Sequence, residues 1–92
     1  MALYLRDSHS LKNKRGVLSS LKARVHQRFN VSIAELEGQE RWQMATLGLC
    51  FVSSNLGHAR EVLSEAVRFI ERETVGQAEV LDCQTELLEG LS

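Results

Sequence analysis

The chain has 92 residues, of which 43% are hydrophobic and 25% charged, and it contains no proline. These are ordinary values for a globular domain with one core, so we expect a single domain over residues 1–92, with residues 89–92 frayed. A membrane-spanning helix needs about 20 apolar residues, and every apolar run here is far shorter. Because no secretory signal pattern precedes the first strand either, we expect a cytoplasmic protein without a membrane segment.

The net charge of −1 hides an uneven distribution along the chain. Residues 1–29 carry seven basic residues and one aspartate, a net charge of +6, whereas residues 30–92 carry four arginines and eleven carboxylates, a net charge of −7. This split predicts one basic and one acidic surface. Cys50 and Cys83 have no CxxC partner, so two reduced thiols are expected.

The first third of the chain predicts a strand followed by a helix. Ala2–Arg6 is a short strand with Leu3 and Leu5 on one face. Ser10 can cap a helix that runs from Leu11 to Phe29, and Asn30 can end it in a left-handed conformation. The spacing of its apolar residues places five of them on one side of this helix: Leu11, Leu18, Leu21, Val25 and Phe29.

The middle of the chain predicts two strands joined by a short loop. Val31–Glu37 is the first, residues 38–41 form the loop, and Gln43–Ser53 is the second and stronger strand. Alternation places Ala45, Leu47, Leu49 and Phe51 on one face of that strand. Its other face carries Met44, Thr46, Gly48, Cys50 and Val52.

The last third predicts a second helix and a final strand. Asn55 can cap a helix that begins at Leu56 and has an apolar stripe reaching Ile70, and Gly76 breaks the pattern. Ala78–Leu88 is the final strand, with Leu81, Cys83, Thr85 and Leu87 on one face. The order βαββαβ with right-handed crossovers predicts an α+β ferredoxin-like sandwich, in which two helices cover one face of a four-stranded antiparallel sheet.

Three segments in order resemble the YlxP-like family of small bacterial proteins, a domain of unknown function. They are residues 10–15 (SLKNKR), 28–35 (RFNVSIAE) and 42–48 (WQMATLG). The resemblance covers nearly the whole chain and implies a ferredoxin-like fold in the bacterial cytoplasm. It implies no established activity and no catalytic residues, although family genes often lie beside genes for transcription elongation, translation initiation and ribosome maturation.

The sequence departs from the family in its first strand. That strand is several residues shorter than usual, although the fold would place it in the middle of the sheet.

The basic start of the first helix is the strongest candidate binding feature. Lysine and arginine side chains near a helix N-terminus oppose the helix dipole, at a cost of roughly 0.3–1 kcal/mol each. A local rule broken in this way often marks a functional site. We therefore expect an anion- or nucleic-acid-binding site at Lys12, Lys14, Arg15 and Lys22. The alternative is an ordinary solvated helix face.

The uncharged second face of the central strand is the candidate interface with another chain. We expect Met44, Thr46, Cys50 and Val52 to be covered by a second copy of the protein. Trp42 could anchor a partner, but packing against the domain's own core is the favoured interpretation.

No enzyme, metal or cofactor is predicted. His9, His26 and His58 are far apart in sequence and suggest capping or surface roles, and titratable groups do not cluster. The first functional prediction is therefore a non-enzymatic RNA- or ribosome-associated accessory factor that contacts phosphate through the basic first helix. The alternative is a homodimeric protein-interaction module that uses the open sheet face and has no nucleic-acid role.

Overall fold

A computed structural model describes residues 1–36 and 40–86. Its elements are β1 (Ala2–Leu5), α1 (Leu11–Arg28), β2 (Ser32–Glu35), β3 (Met44–Cys50), α2 (Leu56–Glu73) and β4 (Ala78–Asp82). The predicted βαββαβ order and ferredoxin-like fold are confirmed. The predicted frayed end at residues 89–92, the last two residues of the predicted final strand and part of the predicted 38–41 loop lie outside the described residues.

The four strands form one antiparallel sheet in the order β2-β3-β1-β4, with the short β1 in the middle. β1 is paired on both sides despite its length. Leu3 lies opposite Ala45 of β3 and opposite Val80 of β4. The register to β4 shifts between Ala2 and Leu3, so the two strands slip by one residue at the start of β1.

α1 forms where its cap and its apolar stripe predict it. The Ser10 hydroxyl accepts a hydrogen bond from the Asn13 N–H at 3.1 Å, which satisfies one free donor of the first turn. Leu18, Leu21 and Val25 are buried in the core. The helix ends differently from the prediction: no described residue other than glycine has a positive φ, so Asn30 is not left-handed.

α2 contributes the other half of the helical layer. The Asn55 side chain caps it by accepting from the His58 N–H at 2.9 Å, as predicted. Ala66, Phe69 and Ile70 enter the core. Phe69 also meets Phe29 edge to face, with ring centroids 5.6 Å apart, and so connects the ends of the two helices. Gly76 then reverses the chain with a φ of 85°.

The strands alternate between the core and an open face. In β3 the buried Ala45 and Leu47 point toward the helices, as predicted. In β4, Leu81, on the more apolar face of the predicted strand, is 51% exposed, whereas Ala78 and Val80 on the other face pack against the core. The pairing of Leu5 with Ala78 and of Leu3 with Val80 sets this phase.

Replacing Leu21 by Ala should destabilise the domain by roughly 2–5 kcal/mol, because the side chain is fully buried between α1 and the sheet. The free energy of unfolding in urea measures the effect. Ser19→Ala, at an exposed position of the same helix, is the control and should change it by less than about 0.5 kcal/mol. Equal effects of the two substitutions would contradict the assigned core.

Candidate functional site

Three of the predicted anion-binding residues lie on one flank of α1. Arg15 and Lys22 are two helical turns apart and Lys12 is one turn before Arg15, so their side chains follow one side of the helix. Lys12 and Arg15 are exposed and Lys22 is half-buried. We call these three residues the basic flank.

Within the described residues, the basic flank has no carboxylate partner. None of its three side chains forms an ion pair with a described residue. The helix itself, Leu11–Arg28, contains no aspartate or glutamate. Its charges therefore add along the helix and produce a positive potential that favours anions near this surface.

Lys14 does not belong to this surface, and its assignment to the anion site is wrong. Its side chain is fully buried. The Lys14 Nζ lies 2.8 Å from Glu35 Oε2 and donates a hydrogen bond to the Met44 carbonyl oxygen at 3.2 Å. The residue thus joins α1 to β2 and β3 inside the protein.

The sequence contained a signal for this pair. Lys14 is four residues before Leu18 and seven before Leu21, so it is in phase with the apolar stripe of α1. Glu35 alternates in phase with Val31 and Ile33, which face the core. Two opposite charges at inward positions of neighbouring elements predict a buried ion pair, because a lone buried charge is too costly.

The candidate interface residues lie on the open face of the sheet. Met44 and Thr46 alternate with the buried Ala45 and Leu47, and Cys50 is exposed on the same side. Val52 lies beyond the end of β3 and is 89% exposed. Met44, Thr46 and Cys50 therefore lie along one face of β3, and Val52 follows them outside the sheet.

A leucine from the neighbouring strand partly covers this face. The Leu36 N–H donates to the Thr46 carbonyl at 2.7 Å and places the Leu36 side chain over Gly48. A Cβ atom on Gly48 would lie 2.9 Å from a Leu36 methyl carbon, so a larger residue at this position would require the Leu36 side chain to move aside. Leu36 still exposes 51% of its surface and adds apolar area beside Thr46.

The remaining candidates have separate positions. Trp42 is 55% exposed, so the expectation that it packs into the core is wrong. His58 lies in the first turn of α2 with its ring 5.7 Å from that of Phe51, and the His9 N–H donates to Asn13. Both cysteines are exposed and unpaired.

The described residues form a groove beside β3 and no cluster suited to a metal ion. A groove of about 350 Å³ lies between β3 and residues 83–86, and its lining includes the apolar Leu49, Leu63 and Val67. Among the described residues, no group of three or more His, Cys, Asp and Glu side chains could hold a metal ion. Within the same residues, no helix is both long and apolar enough to cross a membrane.

Comparison with known proteins assigns the family. The family model described as "Protein of unknown function (DUF503)" matches residues 1–85. The chain belongs to this family. It is also 40% identical to "Uncharacterized protein YlxP" of Bacillus subtilis (strain 168) over 65 residues. These 65 residues cover 71% of this chain and 71% of the relative. The resemblance noted in the sequence is thereby confirmed.

Replacing Lys14 by Met should destabilise the domain by about 3 kcal/mol, because it leaves the Glu35 carboxylate largely buried without its cation. Adding Glu35→Leu should restore most of the loss, since a well-packed apolar pair often replaces a buried ion pair without cost. Urea unfolding of both variants measures this. Lys12→Met is the matched control at an exposed position, and a Lys14→Met effect no larger than the control's would contradict the buried pair.

Proposed function

We propose that the protein is a non-enzymatic RNA- or ribosome-associated accessory factor that contacts phosphate groups through the basic flank. One observation carries this proposal. Lys12, Arg15 and Lys22 share one side of a helix without acidic residues and have no ion-pair partner among the described residues. Cations that no internal carboxylate neutralises are suited to an external polyanion.

The open face of the sheet is poorly suited to base stacking, which favours phosphate contact through α1 instead. Proteins that read bases on a sheet present several aromatic side chains there. On the described strands the open face has one, Tyr4, since Phe51 packs against the core. Binding through α1 would therefore be electrostatic and only weakly dependent on RNA sequence. A cytoplasmic location, part of the same proposal, would give access to this ligand.

RNA affinity should fall with salt concentration in proportion to the number of neutralised phosphates. Three contacts from Lys12, Arg15 and Lys22 predict a slope of about −2 for log affinity against log salt on single-stranded RNA, at about −0.7 per phosphate. The Arg15→Ala/Lys22→Ala variant should bring the slope to about −0.7 and weaken binding to all sequences alike. Fluorescence anisotropy with labelled oligoribonucleotides of different sequence provides the measurement.

The control for this variant is Arg60→Ala, at an exposed position of α2. It should leave the slope unchanged. Folding stability of the double variant should change by less than about 0.5 kcal/mol, because neither side chain forms an ion pair with a described residue. If the double variant binds like the wild type, or if lost stability explains the whole loss of affinity, α1 is ordinary surface.

The second candidate function is a dimeric protein-interaction module that uses the open face of the sheet. The observation in its favour is the apolar character of that surface. Leu36 is 51% exposed, Val52 is 89% exposed, and Met44, Thr46 and Cys50 between them are uncharged. An uncharged patch of this kind is suited to a second copy of the chain.

A dimer through the open face should be weakened by a charge at Val52. Sedimentation velocity at micromolar concentration should show a species larger than a monomer for the wild type and mainly monomer for Val52→Lys. Val75→Lys is the matched control, since Val75 is a similarly exposed valine, at 78%, in the turn after α2. A monomeric wild type, or equal effects of the two lysines, would reject the dimer.

A further inference from the structure

Three arginines converge in a groove between the end of α1 and the outer side of α2. Arg28 is the last residue of α1, and Arg68 and Arg72 lie one turn apart on α2. Together with Phe29 and Glu65 they line a concavity of about 320 Å³. We call this concavity the arginine groove. It is separate from the basic flank, which lies on the side of α1 away from α2.

The position of Arg28 is fixed by aromatic packing. Its guanidinium carbon lies 5.0 Å from the centroid of the Phe69 ring. Phe69 is 4% exposed and is itself held by the edge-to-face contact with Phe29. The guanidinium is therefore oriented before any ligand arrives, which lowers the entropy lost on binding.

The charges of the groove are not neutralised within the described part of the protein. One turn before Arg28, Arg24 forms an ion pair with Glu73 at 2.6 Å. Arg28, Arg68 and Arg72 have no such partner among the described residues, and Glu65 is the single carboxylate that lines the groove. Three cations and one anion leave a net charge of +2 in a small concavity.

Helix stability accounts for only part of this arrangement. Cations in the last turn of a helix interact favourably with its dipole, which explains Arg28 and Arg72. Arg68 lies five residues before the end of α2, and the dipole effect is confined to the last turn. The helix dipole therefore does not account for Arg68, which shares the groove with Arg28, Arg72 and one carboxylate, so an anion bound there would reduce the repulsion among the three cations.

We propose that the arginine groove is a second phosphate-binding site, which takes a phosphodiester group of the RNA that the basic flank contacts. This inference rests on the proposed function. Guanidinium groups present planar pairs of N–H donors that match the oxygens of a phosphate, and bidentate pairs of this kind are stronger than single contacts. The guanidinium groups of Arg68 and Arg72 on α2, with the oriented one of Arg28 on α1, can surround one phosphate group.

The two sites bind different phosphates. Arg28 is 13 residues beyond Arg15, roughly 20 Å along α1 at 1.5 Å per residue. A single phosphate cannot reach both positions, so an RNA that occupies both must extend over the C-terminal end of α1. A dinucleotide, which cannot reach both sites, should therefore bind more weakly than a longer oligonucleotide. The difference in affinity should exceed the part that comes from the smaller number of phosphate charges alone.

The Arg68→Ala/Arg72→Ala variant tests the groove, with Arg60→Ala of the same helix as the control. Neither arginine has a described internal partner, so the fold should be unaffected. For an oligoribonucleotide long enough to reach the groove, the fourth phosphate should bring the wild-type salt slope to about −2.8, and the variant should return it to about −2 with a several-fold lower affinity. Arg68→Lys/Arg72→Lys should keep most of the slope but lose part of the affinity, because lysine cannot form the bidentate contact.

A second measurement does not depend on RNA. Titration with inorganic pyrophosphate, followed by the NMR signals of the arginine Nε–H groups, should shift Arg28, Arg68 and Arg72 more than Arg60. Suppose that Arg15→Ala/Lys22→Ala weakens RNA binding as predicted, but Arg68→Ala/Arg72→Ala binds RNA like Arg60→Ala. This result would overturn the inference about the groove and leave the proposed function standing. If the wild type binds no RNA, the proposed function fails, and the absence of selective pyrophosphate shifts then overturns the groove as a phosphate site as well.

Discussion

The buried ammonium group of Lys14 is the constraint on which the position of α1 over the sheet depends. It lies 2.8 Å from Glu35 Oε2 and donates to the Met44 carbonyl oxygen at 3.2 Å, so one side chain joins α1 to two strands. A cation left in an apolar core without a partner would cost several kcal/mol. The helix can therefore pack only in the rotation that brings Lys14 to Glu35, and the same rotation places Leu18 and Leu21 in the core.

That rotation also divides the remaining charges of α1 between two sides of the helix. The basic flank of Lys12, Arg15 and Lys22 faces away from α2 and has no carboxylate partner among the described residues. On the α2 side, Arg24 is neutralised by Glu73, whereas Arg28 lies on the Phe69 ring beside Arg68 and Arg72. A chain with a net charge of −1 thus has two local cationic surfaces at different ends of one helix.

The opposite side of the protein has a different chemical character. The open face of the sheet carries uncharged residues along β3, and the Leu36 side chain lies over Gly48 and would have to move if that residue were larger. The strand order places β2 and β3 in one half of this face and β1 and β4 in the other. The cationic surface of α1 and the uncharged residues along β3 lie on different elements, so the proposed phosphate binding and the proposed self-association would use different residues.

The sequence by itself determined the elements, because the signals for them are local. Ser10 and Asn55 identify the helix starts through hydrogen bonds within one turn, and the alternation of Ala45 and Leu47 identifies the core face of β3. Only the tertiary structure decided the phase of β4, where pairing with β1 directs Val80 rather than Leu81 inward. The tertiary structure also decided which cations of α1 can contact a ligand. Lys14 is in phase with the apolar stripe of the helix, but it can be buried there only because Glu35, 21 residues later, faces it. The arginine groove is of the same kind, because Arg28 meets Arg68 and Arg72, 40 or more positions later in the chain, through helix packing that no local pattern encodes.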